Sequence, residues 1–339
     1  MKPGVLLESL LSLLAAGLAA ALLLWAFGYD LALAGRSFVD GALANRYAIG
    51  QTLLRTVPLL FTGLAVALAF RVGLFNIGAE GQLYWGAFFS ALVALHGQEQ
   101  GWSPWLARSV ALLAAALAGG IWGFIPGFLK VWRGAHEVIV TIMLNTIAIL
   151  GTTYLTAGYF KEPGAIDQTA RLSPQLRWPQ WQGISTGIVL ALAVVLVLHV
   201  LLQHTAWGYA LQAVGYNPDA AAYSGIRSGR LLVLAMMGSG ALAGVAGGMV
   251  VLAQLHRFIS GFSPGYGFSG IAVAVLGRGN PWGVLLAALL FAALEAGGVT
   301  MQLFARIPSD VITVMQGLVI LLVAAPSLWR FLRRRRLAV

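Results

Sequence analysis

An all-α, polytopic membrane protein is the fold class this sequence predicts, and three observations predict it. Of its 339 residues, 59% are hydrophobic and only 9% are charged, far from the balance of a soluble domain. Apolar stretches near the roughly 20 residues that a helix needs to cross a bilayer recur along the chain. None of them shows the alternation of a barrel strand, so helices are the spanning element.

About ten spans are expected. The first, about 6–27, is longer than the roughly 7–15 residues of a signal-peptide core and has Glu8 at its start, so it reads as a retained helix. The second, 52–70, has "VPLL" near its start, and the third, 79–96, begins after a polar interruption. The fourth, 106–129, follows "GWSP", and the fifth, 137–158, follows "KVWRG". Residues 161–183, rich in proline and of mixed charge, read as an irregular cap before the sixth, 185–203. After the seventh, 231–253, glycine-broken "GFSPGYGFSG" leads into the eighth, 266–279. "GNP" separates that one from the ninth, 281–299, and "IPSD" introduces the tenth, 309–325. Residues 1–339 thus form a single transmembrane domain, with a 204–230 loop and a basic tail over 326–339.

Five basic residues of that tail, Arg330 and Arg333 to Arg336, directly follow the last apolar run. This placement reads as a cytoplasmic anchor near anionic lipid, and it accounts for half of the net charge of +10 without invoking nucleic acid. Both termini and the 204–230 loop are then cytoplasmic, in a multi-pass protein of the cytoplasmic (inner) membrane.

Several chemistries are excluded. With no cysteine there is no disulfide, thiolate metal site or thiol nucleophile. His136-Glu137 opens like a zinc-protease motif, but Val140 stands where the second histidine belongs. No Gly-Lys-Ser/Thr occurs, so the chain is not its own P-loop ATPase. No catalytic residue, metal or cofactor is expected.

The interruption "RVGLFNIGAEGQLYWG" lies between Val57–Phe70 and Leu83–Leu95, 14 and 13 residues long and each short of a full span. The break therefore falls at membrane depth, where irregular backbone survives only inside protein or beside water. Phe75, Asn76, Glu80, Gln82 and Trp85 are candidates to line an internal path, with Asn145 of "IMLNTIA" as a sixth. Capping explains part of the same pattern, since Asn76 can cap the next helix and Glu80 suits its first turn. Asn145 serves equally as a bond between helices. This break and "GFSPGYGFSG" each follow a long helix and precede a short apolar segment, making them candidates for an internal inverted repeat.

In "AVGYNPDAAAYSGI", Asn217 is a good N-cap, Pro218 fits the first helical position, and Asp219 suits the positive helix end. Ala221 and Ala222 continue the turn, and Gly225 can close it in the left-handed conformation. A short capped helix between two spans is the result.

Four stretches, "PLLFTGLAVALAFRVGLFNIGAEGQ", "HEVIVTIMLNTIA", "AVGYNPDAAAYSGI" and "GYGFSGIAVAVLGRGNPWG", together resemble permease subunits of bacterial nucleoside importers of the ATP-binding-cassette (ABC) class, the guanosine-uptake type. These belong to a larger group with the ribose and branched-chain amino-acid permeases. The resemblance implies a non-catalytic transport subunit and a homologous second permease as partner. It also implies an ATP-binding subunit with two nucleotide-binding halves and a substrate-binding lipoprotein. Residues 217–225 are then similar to the coupling helix that seats on the ATPase. A permease for simple sugars of the ribose or galactose type is the alternative. An ion-coupled secondary transporter is a further one, which Glu80, Glu295 and Asp310 leave open.

Overall fold

The protein is described here by a computed structural model covering residues 3–319, 321 and 322, with side chains from residue 14 onward. All ten expected segments are helical: α1 (Pro3–Ala26), α3 (Arg46–Arg71), α4 (Ala79–Glu99), α5 (Pro104–Arg133), α6 (Glu137–Leu155), α7 (Gly187–His204), α10 (Ser228–Val250), α11 (Tyr266–Leu276), α12 (Pro281–Phe304) and α13 (Ser309–Val319). Single π turns extend α6 over Thr156–Phe160 and α10 over Val251–Leu255. Six of these helices, α3, α5, α6, α7, α10 and α12, are long and apolar enough to cross a membrane. The basic tail lies outside the described residues.

The capped helix is present as α9 (Pro218–Tyr223), with Asn217 Oδ1 accepting from the amides of Asp219 and Ala220 at 3.0 Å and Gly225 at φ +82°. Two further helices were not expected. α2 (Leu31–Ala42) is too short and too polar to read as a span, and Asp30 caps it. α8 (Ala206–Tyr216) is capped by Thr205 and hides in what reads as a loop.

Pro58 lies inside α3, not near its start, because α3 begins at Arg46. A proline lacks the N–H that would bond the carbonyl four residues earlier, here that of Leu54. Gln254, from the π turn of α10, supplies the missing donor at 3.0 Å. An unsatisfied carbonyl in hydrocarbon would cost several kcal/mol, so the proline and the glutamine form one device.

The chain packs as two compact units, residues 1–52 with 290–339 and residues 53–289. In the first, Leu24, Ala34, Met301 and Ile307 form a small core joined by Phe38, Ile312 and Met315. Gly41 faces Thr300 there, and Gly297 faces the Phe38 ring.

The second unit is built on α4, α5 and α10. A methyl group on Gly244 would strike the Ala115 carbonyl of α5, and one on Gly247 the Leu83 carbonyl of α4. Gly119 and Gly240 meet each other's carbonyls in the same way. Between helices in lipid there is little hydrophobic drive, so such backbone-to-backbone packing carries association. The small-residue run 238–248 is this packing face.

At one end of the unit, residues 161–183 are laid antiparallel along 252–260. Thr169 donates to the Phe258 carbonyl at 3.0 Å, Leu172 to His256 at 2.8 Å and Trp178 to Leu252 at 2.8 Å. A two-residue hairpin, Gln180–Trp181 with Ile184–Ser185, completes this cap. α7 then carries the chain roughly 27 Å, at the helical rise of about 1.5 Å per residue, to α8 and α9 at the opposite end.

Gly244→Ala is expected to lower stability by about 1–3 kcal/mol, the usual cost of overpacking. Gly17→Ala, with nothing within 4 Å of the added methyl, should be neutral or slightly stabilising. Thermal unfolding of the two variants in detergent checks the contrast.

Candidate translocation site

α3 ends at Arg71, whose guanidinium Nη2 donates to the Gly279 carbonyl at 3.3 Å just beyond α11. Nine residues earlier, the Thr62 hydroxyl donates to the Tyr266 carbonyl at 3.0 Å at the start of α11. α3 and α11 therefore run side by side over roughly 14 Å at the helical rise per residue. After Arg71 the chain turns at Gly73 (φ +74°) and climbs back through 75–78 in non-helical conformation.

α4 begins where this climb ends, against the first turn of α11. A methyl on Gly267 would overlap the Glu80 backbone, so the two helix starts touch main chain to main chain. Glu80 Oε2 accepts from the Gly267 amide at 2.6 Å. The Ser263 hydroxyl accepts from the amides of Gly265 and Tyr266, at 3.1 and 3.2 Å, and donates to Glu80. α4 runs from this point toward the 161–183 cap, where Gln98 accepts from the Ser173 amide at 2.8 Å, and α11 runs the other way. One carboxylate thus lies between the positive ends of two helices pointing apart.

The remaining polar groups of the break are bonded internally. Asn76 Nδ2 donates to Gln82 Oε1 at 2.8 Å and to Ser239 Oγ at 2.7 Å, and the Ser239 hydroxyl passes the chain on to the Ala65 carbonyl at 2.6 Å. Asn145, from α6, donates to the Ile77 carbonyl and accepts from the Gly81 amide, both at 2.8 Å. The residue at the cap of α4 is Gly78, without a side-chain bond, so it is Asn145 across the interface that satisfies the helix start and not Asn76. Asn76, Glu80, Gln82 and Asn145 are all buried.

Beyond this polar layer, toward the cap, lies an aromatic cluster. Trp85 packs against Trp122 at 5.2 Å between centroids, Phe88 against Phe258 at 5.5 Å and Phe160 at 5.7 Å, and Tyr84 against Phe262 at 4.8 Å. The indole N–H of Trp85 is buried and finds no acceptor among the described residues. Phe75 stands apart from this group, beside Phe70 at 5.1 Å and 37% exposed. Asn76, Glu80, Gln82 and Asn145 are therefore brought together, Trp85 adjoins them, and Phe75 does not join them.

Sequence reasoning missed Thr62, Ser239, Ser263, Gly267 and Gln254. Pro58 was the available signal for Gln254, since a mid-span proline announces a free carbonyl. Ser239 was hidden in the small-residue run 238–248.

Residues 48–324 match the model of the family described as the branched-chain amino acid transport system / permease component. The chain belongs to this permease family. Among curated members, the guanosine ABC transporter permease NupP of Bacillus subtilis is 37% identical over 96% of this chain and 95% of its own. The glucose ABC transporter permease TsgB13 of Haloferax volcanii is 32% identical over 90% and 82%, respectively. A second Bacillus subtilis chain, the guanosine ABC transporter permease NupQ, is 29% identical over 77% and 85%. The match to the permease family takes in the break, α11, α8 and α9.

Removing the shared carboxylate with Glu80→Ala leaves the Gly267 amide without an acceptor in a buried site. A loss of about 1–3 kcal/mol is expected, read by thermal unfolding in detergent. Glu80→Gln keeps an acceptor oxygen and should lose less.

Proposed function

We propose that this chain is the membrane permease subunit of an ABC importer that moves nucleosides, purine nucleosides foremost, with ATP hydrolysed by a separate subunit. The observation that carries this reading is the likeness to the guanosine permease over nearly the whole of both chains. The absence of a P-loop from the sequence agrees with an energy source in another chain. The glucose permease relative favours a simple sugar as the second reading.

The route for the solute follows the 72–78 break and α4. In the present conformation Asn76, Glu80, Gln82 and Asn145 use their hydrogen bonds on one another and on backbone, which describes a closed path. A nucleoside suits what they offer: its hydroxyls can exchange for these internal bonds, while its planar base can stack on Trp85, Phe75 standing apart from this group. Trading one set of hydrogen bonds for another keeps binding weak, as release requires.

The α8–α9 end is the cytoplasmic one in this reading, with both termini on the same side, and α9 is the element that meets the ATPase. Its Tyr223 is 95% exposed, whereas Ala221 is buried at 4% against the Leu211 and Val214 core. Asn217, Pro218, Asp219 and Gly225 shape the helix, and Ala222 and Tyr223 present it. A second permease of the same family completes the pore, as the pair of guanosine permeases in Bacillus subtilis suggests. A substrate-binding lipoprotein delivers the solute to the 161–183 end.

The test is purification with these partners and an ATPase assay across nucleosides and sugars. Guanosine and adenosine should stimulate hydrolysis at least about tenfold more effectively than ribose or glucose, a difference of about 1.4 kcal/mol. Ala222→Arg, on the exposed face, should abolish stimulation while insertion is unchanged. Stimulation by glucose but not by nucleosides would establish the sugar reading instead.

A further inference from the structure

The first unit holds an apolar chamber of about 420 Å³ between α1, α2, α12 and α13. Its walls run from Ala16 to Leu24 on α1, from Leu31 to Phe38 on α2, from Leu290 to Met301 on α12 and from Ile312 to Val319 on α13. Among the described residues that line it, only Gln316 is polar. Two glycines hold it open. A methyl group added to Gly17 of α1 or Gly35 of α2 would meet nothing within 4 Å, whereas those of Gly119, Gly244 and Gly247 would strike backbone. Gly17 and Gly35 therefore leave room where the other glycines bring helices together.

The chamber has the depth and length of one leaflet. On α12, a 24-residue span, the lining runs from the middle of the helix to its last turn. At the helical rise this is about 16 Å, against the roughly 15 Å that one leaflet contributes to a hydrocarbon core of about 30 Å. The outer end of the chamber, at Leu24, Leu31 and Met301, adjoins Trp25, Phe27 and Tyr29, the aromatic residues expected at a membrane–water boundary. Its inner end, at Ala16, Leu290 and Val319, lies toward the bilayer centre.

Few occupants fit. A void of this size forfeits contacts on every wall, which close-packed interiors do not sustain, and an apolar cavity does not hold water. Spread over the length of the lining, the volume leaves a slot about 6 Å across, too narrow for a helix of about 10–12 Å with its side chains. The basic tail, with Arg330 and Arg333 to Arg336, has the wrong charge for such walls. A single hydrocarbon chain has the width, the length and the chemistry, and it is the solvent at this depth. Met301 and Met315, unbranched and adaptable, suit a wall that must follow a flexible chain.

We propose that this chamber binds one acyl chain of a membrane phospholipid, entering beside Leu24 and Leu31 and ending with its methyl group near Ala16 and Val319. The chain fills the space between α1–α2 and α12–α13, so the lipid is a structural ligand of the first unit. The site is independent of the solute that the permease carries, since it uses none of the residues of the break.

Native mass spectrometry of the full chain after detergent exchange is expected to show one retained phospholipid. Gly17→Leu combined with Gly35→Leu fills the slot from two walls and should lower the retained fraction at least about tenfold without lowering the unfolding temperature, since leucine is also the better helix former. Ala193→Leu adds the same bulk on the exposed face of α7 and should change nothing. A second measurement needs no substitution. In vesicles of phosphatidylethanolamine and phosphatidylglycerol, a diazirine near the methyl end of the phosphatidylethanolamine chain should label Gly17, Ala20 and Leu290, and one near the glycerol should label Leu24 and Leu31. Label confined to the outward Leu14, Leu18 and Leu22 of α1, or the same lipid retention in the wild type and the double variant, overturns the proposal. A double variant that keeps its lipid but no longer co-purifies with a second permease also overturns it and assigns the chamber to a protein contact.

Discussion

One carboxylate, that of Glu80, is the interaction on which the second unit depends. The starts of α4 and α11 meet head to head, each presenting amides that no helical carbonyl can reach. Two positive helix ends in contact would repel, and lipid could satisfy neither. Glu80 answers both problems by accepting from Gly267 while keeping its negative charge or its acceptor between the two ends. Ser263 completes the set on the α11 side, and Asn145 on the α4 side. Because these bonds are made across elements, the break is a joint in which α3, α4, α6, α10 and α11 all have a stake.

The glycine-lined packing of α4, α5 and α10 follows from the same constraint. A helix that starts at membrane depth must be held laterally from its first turn, and side-chain burial supplies little force in a hydrocarbon solvent. Close backbone approach does, which is why Gly86 and Gly247 sit within the first turns of contact between α4 and α10. The Pro58–Gln254 pair shows the same accounting on α3, where a carbonyl freed by one helix is met by another.

Much of this was legible in the sequence, and for physical reasons. Hydropathy over about 20 residues identifies a span because the solvent is uniform, so the ten segments were readable. The α9 helix was readable because Asn217, Pro218 and Gly225 each act locally. What escaped was either short or distant. α2 and α8 lack the length of a span, and α8 carries few signals beyond Thr205. Asn76 has one near partner in Gln82, but its bond to Ser239, that of Glu80 to Gly267 and that of Asn145 to Gly81 span 163, 187 and 64 residues, and no local pattern encodes such pairings. The sequence named the polar residues of the break but not their bonds, and so could not show that Asn145, not Asn76, completes the start of α4.

If the α4–α11 joint is the closed gate of the path, then its hydrogen bonds must break and reform with each transport cycle. Hydrogen–deuterium exchange over residues 262–270 in the assembled importer tests this most directly, because among the described residues the Gly267 amide bonds to Glu80 alone. The account predicts protection at rest comparable to a helix interior, and much faster exchange during ATP turnover with solute present. A segment unprotected at rest, or one whose protection is the same at rest and in turnover, would contradict it.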